Sequence, residues 1–182
     1  MNVLQVVAHP DDECLWAGGL MARFASQGHR LTFVCASAEA TGPHGSPARR
    51  REFLASCRVL GAEGIVLADA FDEDSPRRVA RWLELNGDRF CLLVTHSPDG
   101  DPNLHREHRV VHGVVADYAA HAAHPWLWTF GCGPSGGDTS IALTPAERAI
   151  KRRAVECHAS QRDFIARDLL WADTPVEAFR TA

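Results

Sequence analysis

Five short apolar runs punctuate the chain: Leu4 to Ala8, Leu31 to Ser37, Ile65 to Ala68, Phe90 to Thr95 and Trp126 to Phe130. They have little polar interruption, which is the pattern of strands buried on both faces of a sheet. Segments with helical spacing lie between them. Leu15 to Gln27 stops at Gly28, and Pro47 to Leu60 stops at Gly61. A glycine just past the last turn supplies the left-handed residue that closes a helix. Ser75-Pro76 predicts a helix to about Leu85, with Ser75 as cap and Pro76 at the first helical position. A further helix is predicted from about His105 to Ala120. Thr144-Pro145 with Glu147 reads as a capping box, opening a helix to about Gln161, and Arg162 to Leu170 either extends it or forms a short one.

Strands alternating with helices predict an α/β fold. We expect a Rossmann-like, mainly parallel sheet with helices on both faces and right-handed crossovers. A length of 182 residues fits one domain, residues 1–182. Loops rich in breakers span Thr41 to Pro47, Ser97 to Asn103 and Gly131 to Thr139. They are long enough to shape a binding site, and Gly131 to Gly137 is the best candidate for a mobile flap.

Composition narrows the class. Hydrophobic residues make up 46% and charged residues 23%, as in an ordinary globular protein. A net charge of −4 argues against nucleic acid as a partner. The chain enters a strand at once, without a basic or long apolar leader, so neither a signal peptide nor a membrane span is expected, and a cytoplasmic location is. The six cysteines form no C-x-x-C pair and read as free thiols packed in the core. Adjacent helical residues do not face each other, so Cys157-His158 does not read as a nucleophile–base pair. No G-x-G-x-x-G follows the first strand, which argues against a dinucleotide.

The chemistry concentrates in two clusters. Ala8-His9-Pro10-Asp11-Asp12-Glu13 follows the first strand, and His96 to His108 follows the fourth. The carboxyl ends of parallel strands are where open α/β sheets bind ligands. Taken alone, the first cluster could be a polar turn with an aspartate capping the next helix. In the second, His105, His108 and His112 share a helical face by their spacing. Two imidazoles and one carboxylate drawn from these positions would make a catalytic type of metal site with an open coordination position.

At these residues the chain resembles the PIG-L/LmbE family of zinc-dependent N-deacetylases. Ala8 to Glu13 is similar to the family's first motif, and His105-x-x-His108 to its second. Arg49-x-x-Glu52 with Leu60-Gly61 resembles the helix after the second strand. Lys151 through His158-Ala159-Ser160-Gln161 resembles a C-terminal motif. Glu107 stands where the family often has Asp, Ala38-Glu39-Ala40 replaces a common Gly-Glu, and the chain is shorter than many members.

The resemblance implies that His9, Asp12 and His108 bind the metal, with zinc as the expected ion and ferrous iron also suited to these ligands. It implies Asp11 as general base and acid, His105 as oxyanion stabiliser, and Arg49 as the holder of a substrate hydroxyl or charged group. His96 and His158 are candidates to line the substrate pocket, and His112 is assigned a supporting or surface role. Glu13 reads as a helix-start residue with a supporting contact. The implied activity is metal-dependent deacetylation of an N-acetylated amino sugar or related glycoside, a small-molecule partner.

Two other readings stand beside it. One is a catalytically silent, metal-containing sugar-binding module. The other is a serine esterase using Ser135, since Gly133-Pro134-Ser135-Gly136-Gly137 matches G-x-S-x-G. That motif needs a helix directly after it, and Gly136 to Ser140 is a poor helix start. The arginine runs 49–51 and 152–153 read otherwise as solvated helix faces.

Overall fold

The computed structural model describes residues 1–38, 45–101, 105–122, 125–131, 136–167 and 173–181. Ser135, most of the expected flap, Cys132, Trp171 and the tip of the 41–47 loop lie outside the described residues.

In chain order the elements are β1 (Asn2–Val7), α1 (Asp12–Leu15), α2 (Gly18–Ser26), β2 (Arg30–Cys35), α3 (Gly45–Val59), β3 (Ala62–Val66), α4 (Ser75–Asn86), β4 (Leu92–Thr95), α5 (Arg106–His121), β5 (Trp126–Phe130), β6 (Thr139–Ala142), α6 (Pro145–Glu156), α7 (Arg162–Arg167) and β7 (Val176–Thr181). They build a seven-stranded sheet ordered β3-β2-β1-β4-β5-β7-β6. The first five strands pair in parallel, while β7 runs antiparallel to both β5 and β6. The expected α/β architecture is therefore present, with an antiparallel edge added.

The period-two alternation of β1 splits the core into two layers. Val3 and Val7 face Leu20, Met21, Phe53, Cys57 and Ala154 from α2, α3 and α6. Leu4, Val6 and Ala8 face Val79, Leu83, Val111 and Val115 from α4 and α5. Helices thus cover both faces. Strand order reverses beside β1, whose neighbours are β2 and β4. The loops after β1 and β4 leave this switch point in opposite directions and open a crevice between them.

Several local expectations shift. The helix expected over Leu15 to Gln27 is two helices, α1 and α2. Gly18-Gly19 is a weak helical stretch, and the buried Glu177 carboxylate accepts from Gly19 N–H at 2.9 Å and Leu20 N–H at 2.8 Å, capping a new start there. In α4 the cap position is Asp74, and Ser75 is the first helical residue. The Thr144–Glu147 capping box is present in both directions. α6 stops at Glu156, and a 3-10 turn over Ala159–Gln161 separates it from α7. Cys14, Cys35 and Cys57 are buried, whereas Cys91 is exposed. Among the described residues, no helix is long and apolar enough to cross a membrane.

Candidate metal centre and active site

The turn after β1 is wired to the end of β4. Ala8 N–H donates to His96 Nε2 at 2.9 Å, so His96 carries its proton on Nδ1, and burial holds its pKa well below the usual histidine value. His96 lies flat against His108, with ring centroids 3.9 Å apart. It is part of the floor of the crevice. His112 Nδ1 lies 2.9 Å from the His96 carbonyl and supports that floor from the next turn of α5.

Above this floor, three donor atoms converge. His9 Nδ1 is 3.2 Å from His108 Nε2. Asp12 Oδ2 is 3.3 Å from His108 Nε2 and 3.7 Å from His9 Nδ1. Two ligands about 2.0–2.2 Å from a tetrahedral zinc sit about 3.3–3.5 Å apart, so this triangle fits that ion. Each residue is buried. Asp12 is held in place by His9 N–H, which donates to Oδ2 at 2.9 Å, and by Trp16 Nε1, which donates to Oδ1 at 3.2 Å. Burial opposes its charge, yet the imidazole of His108, joined by that of His9, keeps its carboxyl well below the usual range. The donor set of two imidazoles and one carboxylate is that of a catalytic rather than a structural site.

Asp11 adjoins the triangle in an unusual backbone conformation, with φ at 105°. Its carboxylate meets Arg49 from α3 at 3.1 Å, and the same guanidinium nitrogen donates to the Pro10 carbonyl at 2.6 Å. Burial, reinforced by the neighbouring Asp12 charge and opposed by Arg49, pushes the Asp11 carboxyl up to about 7. Such a group can both take and return a proton near neutrality.

His105, at the start of α5, is the more open member of the site, with its side chain 39% exposed. Its Nδ1 is 2.8 Å from Asp101 Oδ2, and its N–H donates to Oδ1 at 3.0 Å. The Asp101 hydrogen bond, against partial desolvation, pushes the His105 pKa up to about 9. Asp101 Oδ2 also lies 3.6 Å from His108 Nδ1, close enough for a charge interaction but too far for a hydrogen bond. The sequence reading missed Asp101 as an individual residue. Its signal was an acid four residues before the His-x-x-His pair.

The structure thus brings His9, Asp12 and His108 together, with Asp11 and His105 beside them. Arg49 is buried against the Pro10–Asp11 turn. His96 and His158, expected to line the pocket, are both buried with their Nε2 atoms bonded inward, His158 to Glu13 Oε1 at 2.8 Å.

A family model described as PIG-L, GlcNAc-PI de-N-acetylase, matches residues 4–119. The chain belongs to the PIG-L family. It is 28% identical over 167 residues to a 1D-myo-inositol 2-acetamido-2-deoxy-α-D-glucopyranoside deacetylase of Corynebacterium kroppenstedtii, covering 68% of this chain and 43% of that one. The PIG-L chain therefore spans less than half the length of that relative. Among solved structures it is similar to the N,N'-diacetylchitobiose deacetylase of Pyrococcus horikoshii, with a TM-score of 0.81 and 18% identity over 100% of this chain and 83% of that one. It is also similar to a Pseudomonas putida 4-carboxy-2-hydroxymuconate hydratase, GalB, with a TM-score of 0.75 and 20% identity over 100% and 95%. These two structures establish the fold of this PIG-L chain. Since one is a deacetylase and the other a hydratase, the activity has to be argued from the site.

Proposed function

We propose that this chain is a metal-dependent N-deacetylase of an N-acetylated amino sugar or related glycoside, with His9, Asp12 and His108 holding the ion. The observation that carries the reading is the buried triangle of His9 Nδ1, His108 Nε2 and Asp12 Oδ2. The family description and the relative's name both concern removal of an acetyl group from an amino sugar. Zinc, or ferrous iron with the same donors, would polarise the amide carbonyl and lower the pKa of a water molecule.

The residues of the chain supply the rest. Asp11 takes the proton from the attacking water as the new C–O bond forms. It returns that proton to the departing amine nitrogen as the C–N bond breaks, leaving acetate and the free amine. His105, with Nδ1 committed to Asp101, presents Nε2 to the developing oxyanion, and below about 9 that nitrogen carries a proton to donate. Arg49 holds the Asp11 carboxylate in the turn.

The test is acetate release from a panel of N-acetylated amino sugars by the zinc-loaded protein. Asp11→Asn should lose on the order of 10²–10⁴-fold in kcat with zinc retained. An Asn variant as fast as wild type overturns the reading. A chain that binds the sugars with zinc in place but releases no acetate would be a binding module. Inhibition by a serine-directed phosphonate, with indifference to chelators, would point to Ser135.

A further inference from the structure

Beneath Asp11 lies a charged pair that the reaction described above does not use. Glu13 and His158 are 0% and 1% exposed. His158 Nε2 sits 2.8 Å from Glu13 Oε1, while Glu13 Oε2 accepts the Asp11 N–H at 2.8 Å. Asp11 is the only non-glycine described residue with positive φ, at 105°. A side chain with a Cβ adopts that conformation only where its surroundings enforce it. The neighbouring contacts do so from several directions. The Asp11 carbonyl accepts from Cys14 N–H at 3.1 Å and Leu15 N–H at 3.0 Å, fixing one side of the residue. Arg49 holds the carboxylate. The carboxylate of Glu13 takes the amide on the other side.

We propose that Glu13 and His158 are positioning residues that lock the Asp11 backbone, and that His158 does not contact substrate. This rests on the reading that Asp11 moves the proton. His158 fixes the rotamer of Glu13 from the turn after α6, leaving the second oxygen of Glu13 aimed at the Asp11 amide. That turn is fastened in its own right, because Glu52 accepts from Ser160 N–H at 2.9 Å and from Ser160 Oγ at 2.5 Å. Glu52 lies one turn beyond Arg49 on α3, so one clamp sets both the group on the Asp11 carboxylate and the group beneath its amide. A buried ion pair adds little net stability over apolar packing of the same volume. The orientation of Asp11 gives this one a task.

The experiment compares Glu13→Ala, Glu13→Gln and His158→Leu as zinc-loaded proteins, each also in an Asp11→Asn background. Glu13→Ala and His158→Leu should lower kcat about 10- to 100-fold. KM should change less than about 2-fold, and zinc content should be kept. The factor should be equal for free N-acetylglucosamine and for larger glycosides. Glu13→Gln keeps an oxygen to accept the Asp11 N–H, and its amide nitrogen can donate to His158 Nε2 once that imidazole is neutral with its proton on Nδ1, so it should restore most of the rate. In the Asp11→Asn background, Glu13→Ala should cost nothing further. Amide hydrogen exchange gives a readout independent of turnover: Asp11 N–H protection should vanish in Glu13→Ala and persist in Glu13→Gln. Should Glu13→Ala fail to fold, His158→Leu and Glu13→Gln carry the same comparison. A rise in KM with kcat unchanged, a loss that depends on the sugar, or unaltered Asp11 protection in Glu13→Ala or His158→Leu overturns the proposal. An active Asp11→Asn would instead overturn the assignment of Asp11, and the exchange result would still decide the positioning.

Discussion

Breaking the buried pair between Lys151 and Glu177 should unfold this protein at a markedly lower temperature. Lys151 is 0% and Glu177 2% exposed, and Lys151 Nζ lies 2.7 Å from Glu177 Oε1. Glu177 also caps α2 through Gly19 and Leu20. Removing one member of such a pair leaves the other charge in a low-dielectric interior, at a cost of about 3–5 kcal/mol. For a chain of this size that lowers Tm by roughly 6–20 °C. Glu177→Gln belongs at the upper end, because it leaves the ammonium facing an amide and weakens the cap on α2. Lys151→Met belongs at the lower end, because the carboxylate keeps both N–H donors. The double variant, having no unpaired charge, should melt above Glu177→Gln, with a coupling of about 1–3 kcal/mol. Thermal unfolding followed by far-ultraviolet circular dichroism checks all three. Single variants within about 2 °C of wild type, or strictly additive losses, would refute the reasoning.

Other outcomes follow from the site and the fold. Zinc at a hundredfold excess over its Kd should stabilise the metal-free protein by about 2.7 kcal/mol, seen as a rise in Tm that Asp12→Ala abolishes. His105 has a raised pKa, so its proton is present at neutral pH and is lost as pH rises through about 9. Activity should fall on that alkaline limb, and in pH–rate profiles Asp101→Asn should move the fall toward the ordinary histidine range. At Gly137 an added Cβ would meet the Phe179 carbonyl oxygen at 2.1 Å. Gly137→Ala should therefore cost about 1–3 kcal/mol, measurable by denaturant unfolding.

Much of this was legible along the chain. The apolar runs announced β1, β2, β4 and β5, because strands buried on both faces need uninterrupted apolar sequence. The glycines at 28 and 61 marked the ends of α2 and α3, where φ is indeed positive, at 79° and 73°. The clusters around His9 and His108 were visible as dense polar residues at strand ends. The sheet edge was not visible. β6 has four residues, and β7 carries Glu177 in its buried stretch, so neither reads as an uninterrupted apolar run.

The sequence by itself determined the parallel strands β1, β2, β4 and β5, most of the helices, and which residues could bind a cation, since propensity, periodicity and side-chain chemistry are local properties. The tertiary structure decided what each polar residue faces. It broke one helix into two by sending Glu177 from the far end of the chain to cap Gly19. It placed His96 and His158 under the crevice, and it set Asp101 in a hydrogen bond to His105 and within charge range of His108. Those outcomes depend on contacts between residues far apart in sequence, such as the 145 positions separating Glu13 from His158, and no local pattern records them.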